Sequence, residues 1–231
     1  MSNTSSIGRK VLMALTGFFL MFFLLQHASI NFLSVISPDA FNEVSHFMGT
    51  NMLVQLALQP VLIFAVIFHF AWGILLELKN RSSRDVKYAV NNGAANSTWM
   101  SRNMIISGLT VLAFLVAHFY DFWIHEITVK YIQNDMTGIM NGEFLYYQGE
   151  QTFRYYEELV AKFQDPIRVV LYVLSFVMLA LHLLHGFQSS FQSVGFNHSK
   201  YTPIIKKAGM AFGILVPALF AFIAIFHFVA H

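Results

Sequence analysis

Ten histidines in 231 residues are many for so apolar a chain, and seven of them fall inside long apolar runs. These are His27, His69, His118, His125, His182, His185 and His227. An ionisable side chain within a membrane is costly, so it faces a bundle interior or a functional site. Taken singly, each histidine is equally explained by an interhelical hydrogen bond or by snorkelling to the surface. Depth separates the cases. His27 and His118 lie a few residues past the middles of the first and third runs, and His69 and His182 a few residues past the middles of the second and fourth. Successive runs cross in opposite directions, so at ~1.5 Å per residue the four histidines form two layers about 11 Å apart. Each layer joins two helices that are diagonal in a four-helix bundle of simple sequential order. Two imidazoles facing across a bundle core are what axial bis-histidine haem ligation requires, whereas a zinc or non-haem iron site needs three or four ligands at one point. The pattern predicts two haem b groups, one held by His27 and His118 and the other by His69 and His182.

Local spacing agrees. His69-x-x-x-Gly73 and His182-x-x-x-Gly186 place a glycine on the ligand's own helical face, which leaves room for a porphyrin edge. His185, one turn beyond His182, stays open as an alternative ligand or as a contact to a haem propionate. Gly17-x9-His27 and Gly108-x9-His118 share a spacing that does not return to one face, and helix packing explains these two glycines equally well.

The elements that must position these residues are membrane spans. Hydrophobic residues make up 56% of the chain and charged residues 11%, less than half the charged share of a soluble domain. Five runs approach or exceed the ~20 residues that cross a bilayer, at about 11–36, 53–78, 104–127, 167–187 and 208–229. The expected fold is all-α, a single integral membrane bundle of five transmembrane helices spanning 1–231. The first run is too long for the core of a cleavable signal peptide. The absence of cysteine excludes thiolate-bound iron–sulfur clusters and covalent c-type haem from this polypeptide.

Basic residues mark the cytoplasmic ends of spans. Arg9 and Lys10 precede the first run, Lys79, Arg81, Arg84, Lys87 and Arg102 follow the second, and Lys200, Lys206 and Lys207 precede the fifth. The N-terminus is therefore expected in the cytoplasm and the C-terminus outside. The outer segment 128–165 balances Lys130, Arg154 and Lys162 with six acidic residues. Its aromatic part (Phe144, Tyr146, Tyr147, Phe153, Tyr155, Tyr156, Phe163) predicts either an amphipathic helix on the outer interface or a tethered loop.

Four stretches carry a resemblance: "QHASIN" around His27 and Asn31, "HFAWG" from His69, "HFYDFW" from His118, and the most specific, "LHLLHGFQSSFQSVGFNHSKYTPIIKKAG" from Leu181 to Gly209. Over nearly its whole length the chain resembles the single-chain, five-helix, di-haem cytochrome b membrane subunit of succinate:quinone oxidoreductases (succinate dehydrogenase and fumarate reductase), in the form found in Bacteroidetes. The resemblance implies a haem near the cytoplasm on His69 and His182 and one near the outside on His27 and His118. It also implies flavoprotein and iron–sulfur partner subunits, a possible dimer of such heterotrimers, a quinone (menaquinone) as electron partner, and the bacterial inner membrane. No nucleic-acid partner is expected. Where some fumarate reductases of this kind carry a proton-conducting glutamate, two residues before the fourth-helix ligand, this chain has Ala180. Quinone reduction takes up protons, so the polar residues near the outer pair are the quinone candidates: Glu43, His46, Asp121, His125 and Glu126. Taken singly, each of these is explained first by ordinary polarity near helix ends. A di-haem cytochrome of another quinone-linked respiratory enzyme is the alternative. A histidine-coupled transporter is a third possibility, but only Pro60 and Pro217 interrupt the spans.

Overall fold

The computed structural model describes residues 6–82, 103–139 and 153–231. Five helices are long and apolar enough to cross a membrane: Ile7–Ile36, Val54–Asn80, Met104–Ile132, Pro166–Ser193 and Thr202–Ala230. The chain is an all-α, multi-pass membrane protein. With five crossings the termini end on opposite sides of the bundle, named here the N-terminal and C-terminal sides. Arg84, Lys87 and Arg102, and the aromatic residues Phe144, Tyr146 and Tyr147, lie outside the described residues.

Helix α1 is Ser6–Ile36. It leads into a second helix that the apolar pattern does not show, α2 (Pro38–Thr50). Its start is set by local chemistry: Ser37 Oγ accepts from the Ala40 amide, proline holds the first position, and Asp39 sits in the first turn. Each of these favours a helix N-terminus. A wide π-helical turn, Val54–Leu58, opens α3 (Gln59–Ser82).

Helix α4 (Met104–His118) continues through wide turns at Phe119–Ile124 and Thr128–Ile132. The third span therefore reaches residue 132 rather than 127, because the backbone stays hydrogen-bonded after hydropathy falls. For the same reason α6 (Pro166–Ser193) and α7 (Thr202–Ala230) run past the apolar stretches that announce them.

Short α5 (Tyr155–Phe163) lies in the outer segment. Its Leu159 and Phe163 are buried with Ala28, Phe41, Tyr172, Phe176 and Phe220 in one apolar cluster. Its apolar face is thus covered by protein rather than laid on a lipid interface. Large apolar side chains such as Phe22, Leu56, Phe64 and Val116 are exposed along the spans instead, as expected where the solvent is hydrocarbon.

Helix α1 packs beside α3 and α6, and α4 beside α3 and α6. The four form a square in chain order, with α1 opposite α4 and α3 opposite α6. Helix α7 stands outside the square against α6 and α1. Its closest approach uses Gly209 and Gly213, one turn apart. A Cβ on Gly209 would lie 2.8 Å from the Phe187 ring, and one on Gly213 would lie 3.0 Å from the Leu184 backbone nitrogen. Small residues at this spacing let two membrane helices approach closely.

Because a backbone atom cannot yield as a side-chain tip can, Gly213→Val is expected to overpack this seam and cost ~1–3 kcal/mol. Thermal unfolding of the detergent-solubilised protein measures it, and an unchanged midpoint would contradict the packing.

Candidate functional site

The two diagonals of the square each carry one histidine pair. His27 on α1 faces His118 on α4 with ring centroids 5.8 Å apart, and His69 on α3 faces His182 on α6 at 6.5 Å. All four rings are half-buried. A metal–imidazole bond is ~2.0 Å and a ring centre lies ~1.1 Å from its nitrogen, so two collinear ligands place their ring centres ~6 Å apart. Both pairs fall near that span, which is the fit a six-coordinate haem iron needs. Among the described residues no three His, Cys, Asp or Glu side chains gather as a metal-binding group; the histidines converge in twos.

The surroundings of the two pairs differ. His69 and His182 lie beside small and hydroxylated residues. A Cβ on Gly17 would stand 3.8 Å from His69 Cε1, and one on Gly108 3.7 Å from His182 Cε1. These two glycines, which share a spacing with His27 and His118 in sequence, in fact face the other pair. A Cβ on Gly73 would meet only the Met13 methyl, at 3.4 Å, and one on Gly186 nothing within 4 Å. The histidine-bearing faces of α3 and α6 therefore leave space beside Gly73 and Gly186. Thr16 and Ser107 bring hydroxyls to the Nδ1 atoms of His69 and His182. Each directly precedes one of the shared glycines in sequence, but nothing in the sequence alone marks a hydroxyl's partner on another helix.

The second pair sits in an aromatic collar. Phe23 stacks on His27 and Phe114 on His118, while Phe122 and Phe220 close the sides. Asn31 Nδ2 donates to the His27 carbonyl at 2.8 Å and lies 3.3 Å from its Nδ1. His118 Nδ1 is buried with no hydrogen-bond partner among the described residues.

The remaining histidines take other positions. His185 makes no ring contact with His69, whose ring partner is His182. His227 is fully buried on α7, outside the square, with Nε2 2.9 Å from Ser34 Oγ. It clasps α7 to α1.

Of the five quinone candidates, His46 and Glu126 both lie near the Tyr155 hydroxyl, and His125 and Glu126 are joined through Glu158 and Arg154. Glu43 is exposed on α2. Asp121 is buried and its carboxylate accepts from Arg168 Nε at 3.0 Å and from the Tyr172 hydroxyl at 2.8 Å, tying α4 to α6. His125 Nε2 lies 3.0 Å from Glu158, and Glu126 pairs with Lys130 at 2.7 Å and with Arg154. Arg154 also holds both Glu158 oxygens at 2.7 Å, and Lys130 donates to the Gly49 carbonyl. Burial works against the Arg154 charge, but Glu126 and Glu158 outweigh it and hold its pKa above the usual value.

His46 stacks on Phe153 at 3.9 Å. Gly138, at φ 65°, separates its ring from Tyr155: a Cβ there would lie 3.0 Å from His46 Nδ1 and 2.6 Å from the Tyr155 hydroxyl. Burial and the Glu126 carboxylate push the Tyr155 hydroxyl up to about 12, so it keeps its proton at neutral pH.

No family model, curated protein or solved structure matches this chain. The case for a function therefore rests on the paired rings and on what surrounds them.

Removing one partner of a buried ion pair strands the others, at ~3–5 kcal/mol. Arg154→Ala should destabilise the C-terminal side by about that much and Arg154→Lys by less, while both histidine pairs stay in place. Chemical or thermal unfolding compares the three proteins, and an Arg154→Ala protein as stable as the parent would refute the linkage.

Proposed function

We propose that this chain is the di-haem cytochrome b membrane subunit of a succinate dehydrogenase or fumarate reductase complex, carrying electrons between an iron–sulfur subunit and a membrane quinone. The observation that supports it is the pair of cross-bundle histidine couples, 5.8 and 6.5 Å between ring centres, on the two diagonals of one four-helix square. A haem b bound at each couple would supply one-electron redox chemistry within the membrane. His69 and His182 would hold one and His27 and His118 the other. The protein's part is to fix four imidazoles, to leave the Gly73 and Gly186 faces open, and to keep water from the second pair with the aromatic collar.

Other features suit this reading. With no cysteine in the chain, the iron–sulfur clusters and the dicarboxylate chemistry belong to the flavoprotein and iron–sulfur partners. The resemblance supports a bacterial inner membrane, and the basic residues near the N-terminal side, Arg9, Lys10, Lys79, Lys200, Lys206 and Lys207, support a cytoplasmic position for that side by the positive-inside rule. The soluble partners would dock there. A quinone, menaquinone on the resemblance, would then react on the C-terminal side. There the Tyr155 hydroxyl keeps its proton and His46 Nδ1 has no partner among the described residues.

The test is a visible and EPR spectrum of the purified complex with its haem-to-chain ratio. Two low-spin, six-coordinate b-type haems per chain are expected, and one haem or a high-spin spectrum in the untreated protein would overturn the reading. His182→Ala should lose one haem or convert it to high spin, while His185→Ala keeps both low-spin; the opposite result would exchange the two roles. A co-purifying flavoprotein with succinate activity identifies the partner. Two haems without it assign the chain to another quinone-linked respiratory oxidoreductase.

A further inference from the structure

Helices α1 and α4 carry the same short pattern, a hydroxyl residue followed by glycine: Thr16-Gly17 and Ser107-Gly108. Both patterns meet the same histidine pair. Thr16 Oγ1 lies 3.0 Å from His69 Nδ1, and Ser107 Oγ lies 3.3 Å from His182 Nδ1. Each hydroxyl also has a carbonyl in its own helix. Thr16 donates to Met13 O at 3.0 Å, and Ser107 donates to Met104 O at 3.0 Å. A hydroxyl has a single proton. With that proton committed to the carbonyl, its oxygen meets the imidazole as an acceptor. Nδ1 must then carry the ring hydrogen, and Nε2 keeps its lone pair. Among the described residues neither ring's Nε2 has a hydrogen-bond partner.

We propose that Thr16 and Ser107 are positioning residues that hold His69 and His182 as Nδ1–H tautomers with Nε2 presented to iron, and that they thereby set the donor strength of this site alone. The inference rests on the haem reading above. A ligating imidazole whose other N–H is held by an acceptor is fixed in orientation and is a stronger electron donor. A stronger axial donor favours the ferric state and lowers the potential. Gly17 and Gly108 adjoin the same two rings, but a Cβ there would make ordinary van der Waals contact with them at 3.8 and 3.7 Å, so the hydroxyls carry the effect. The second pair provides an internal contrast, because His118 Nδ1 is buried without a partner and the group nearest His27 Nδ1 is an amide nitrogen.

The experiment uses the intact complex carrying Thr16→Val, Ser107→Ala, or Thr16→Ser as rescue, titrated by potential while the haem absorbance is followed. Thr16→Val and Ser107→Ala should each raise the midpoint of one haem, the same one in both, namely the haem lost in His182→Ala. They should also weaken its retention about tenfold, the lower end of the loss usual for such partners. Thr16→Ser should restore both properties. If Thr16→Val fails to assemble, Ser107→Ala reads the equivalent bond from the other helix. A protein that keeps two haems with unshifted midpoints overturns this inference alone. Equal shifts at both haems also overturn it, since they mark a general disturbance. A colourless parent complex overturns the haem reading and this inference with it.

Discussion

A polar group that enters the hydrocarbon is costly unless it finds a partner within the protein, because the bilayer offers no water to satisfy it. Much of the structure follows from that constraint. Four imidazoles, in two layers on either side of the middle of the bundle, meet in pairs on its diagonals. The hydroxyls of Thr16 and Ser107 serve helix carbonyls and imidazole nitrogens together, so neither brings an unsatisfied donor into the membrane. Asp121, buried on α4, is tolerated because α6 delivers both a guanidinium and a phenol to it.

The two sides of the bundle meet the constraint differently. On the N-terminal side the histidine pair is braced by hydroxyls and open glycine faces. Toward the C-terminal side the other pair is wrapped in aromatic rings, and beyond it the buried charges of Lys130 and Arg154 are neutralised by Glu126 and Glu158. The first environment offers each ring a specific hydrogen bond, and the second surrounds the rings with apolar side chains. Two similar histidine pairs thus sit in unlike surroundings.

The sequence made the spans and the pairing of histidines by depth legible, because hydropathy and helical rise are local and additive. It concealed what depends on partners distant in the chain. Asp121 reads as a free acid beside a helix end until Arg168 and Tyr172 are brought to it. His125 and Glu126 read as separate polar residues near a helix end, and only the fold joins them to Glu158, Lys130 and Arg154. Helix α2 was readable from Ser37, Pro38 and Asp39, but a search for long apolar runs passes over a helix this polar. Gly17 and Gly108 were noticed for their spacing to His27 and His118. Their actual neighbours, His69 and His182, sit on other helices, and no spacing within one helix reports that.

The square is also two hairpins of one design. Helices α1 and α3 carry a hydroxyl–glycine pair, a histidine ten positions past that glycine, and a histidine followed one turn later by glycine; α4 and α6 carry the same set in the same order. Each hairpin braces its own α3 or α6 histidine and gives one residue to each pair. Half a rotation about the bundle's long axis exchanges the two hairpins in this plan, the isologous relation found in twofold dimers. Both pairs therefore lie on the rotation axis itself. The four rings are stacked along the centre line of the bundle, where an approximate symmetry places a helix between them and the lipid in each of four directions.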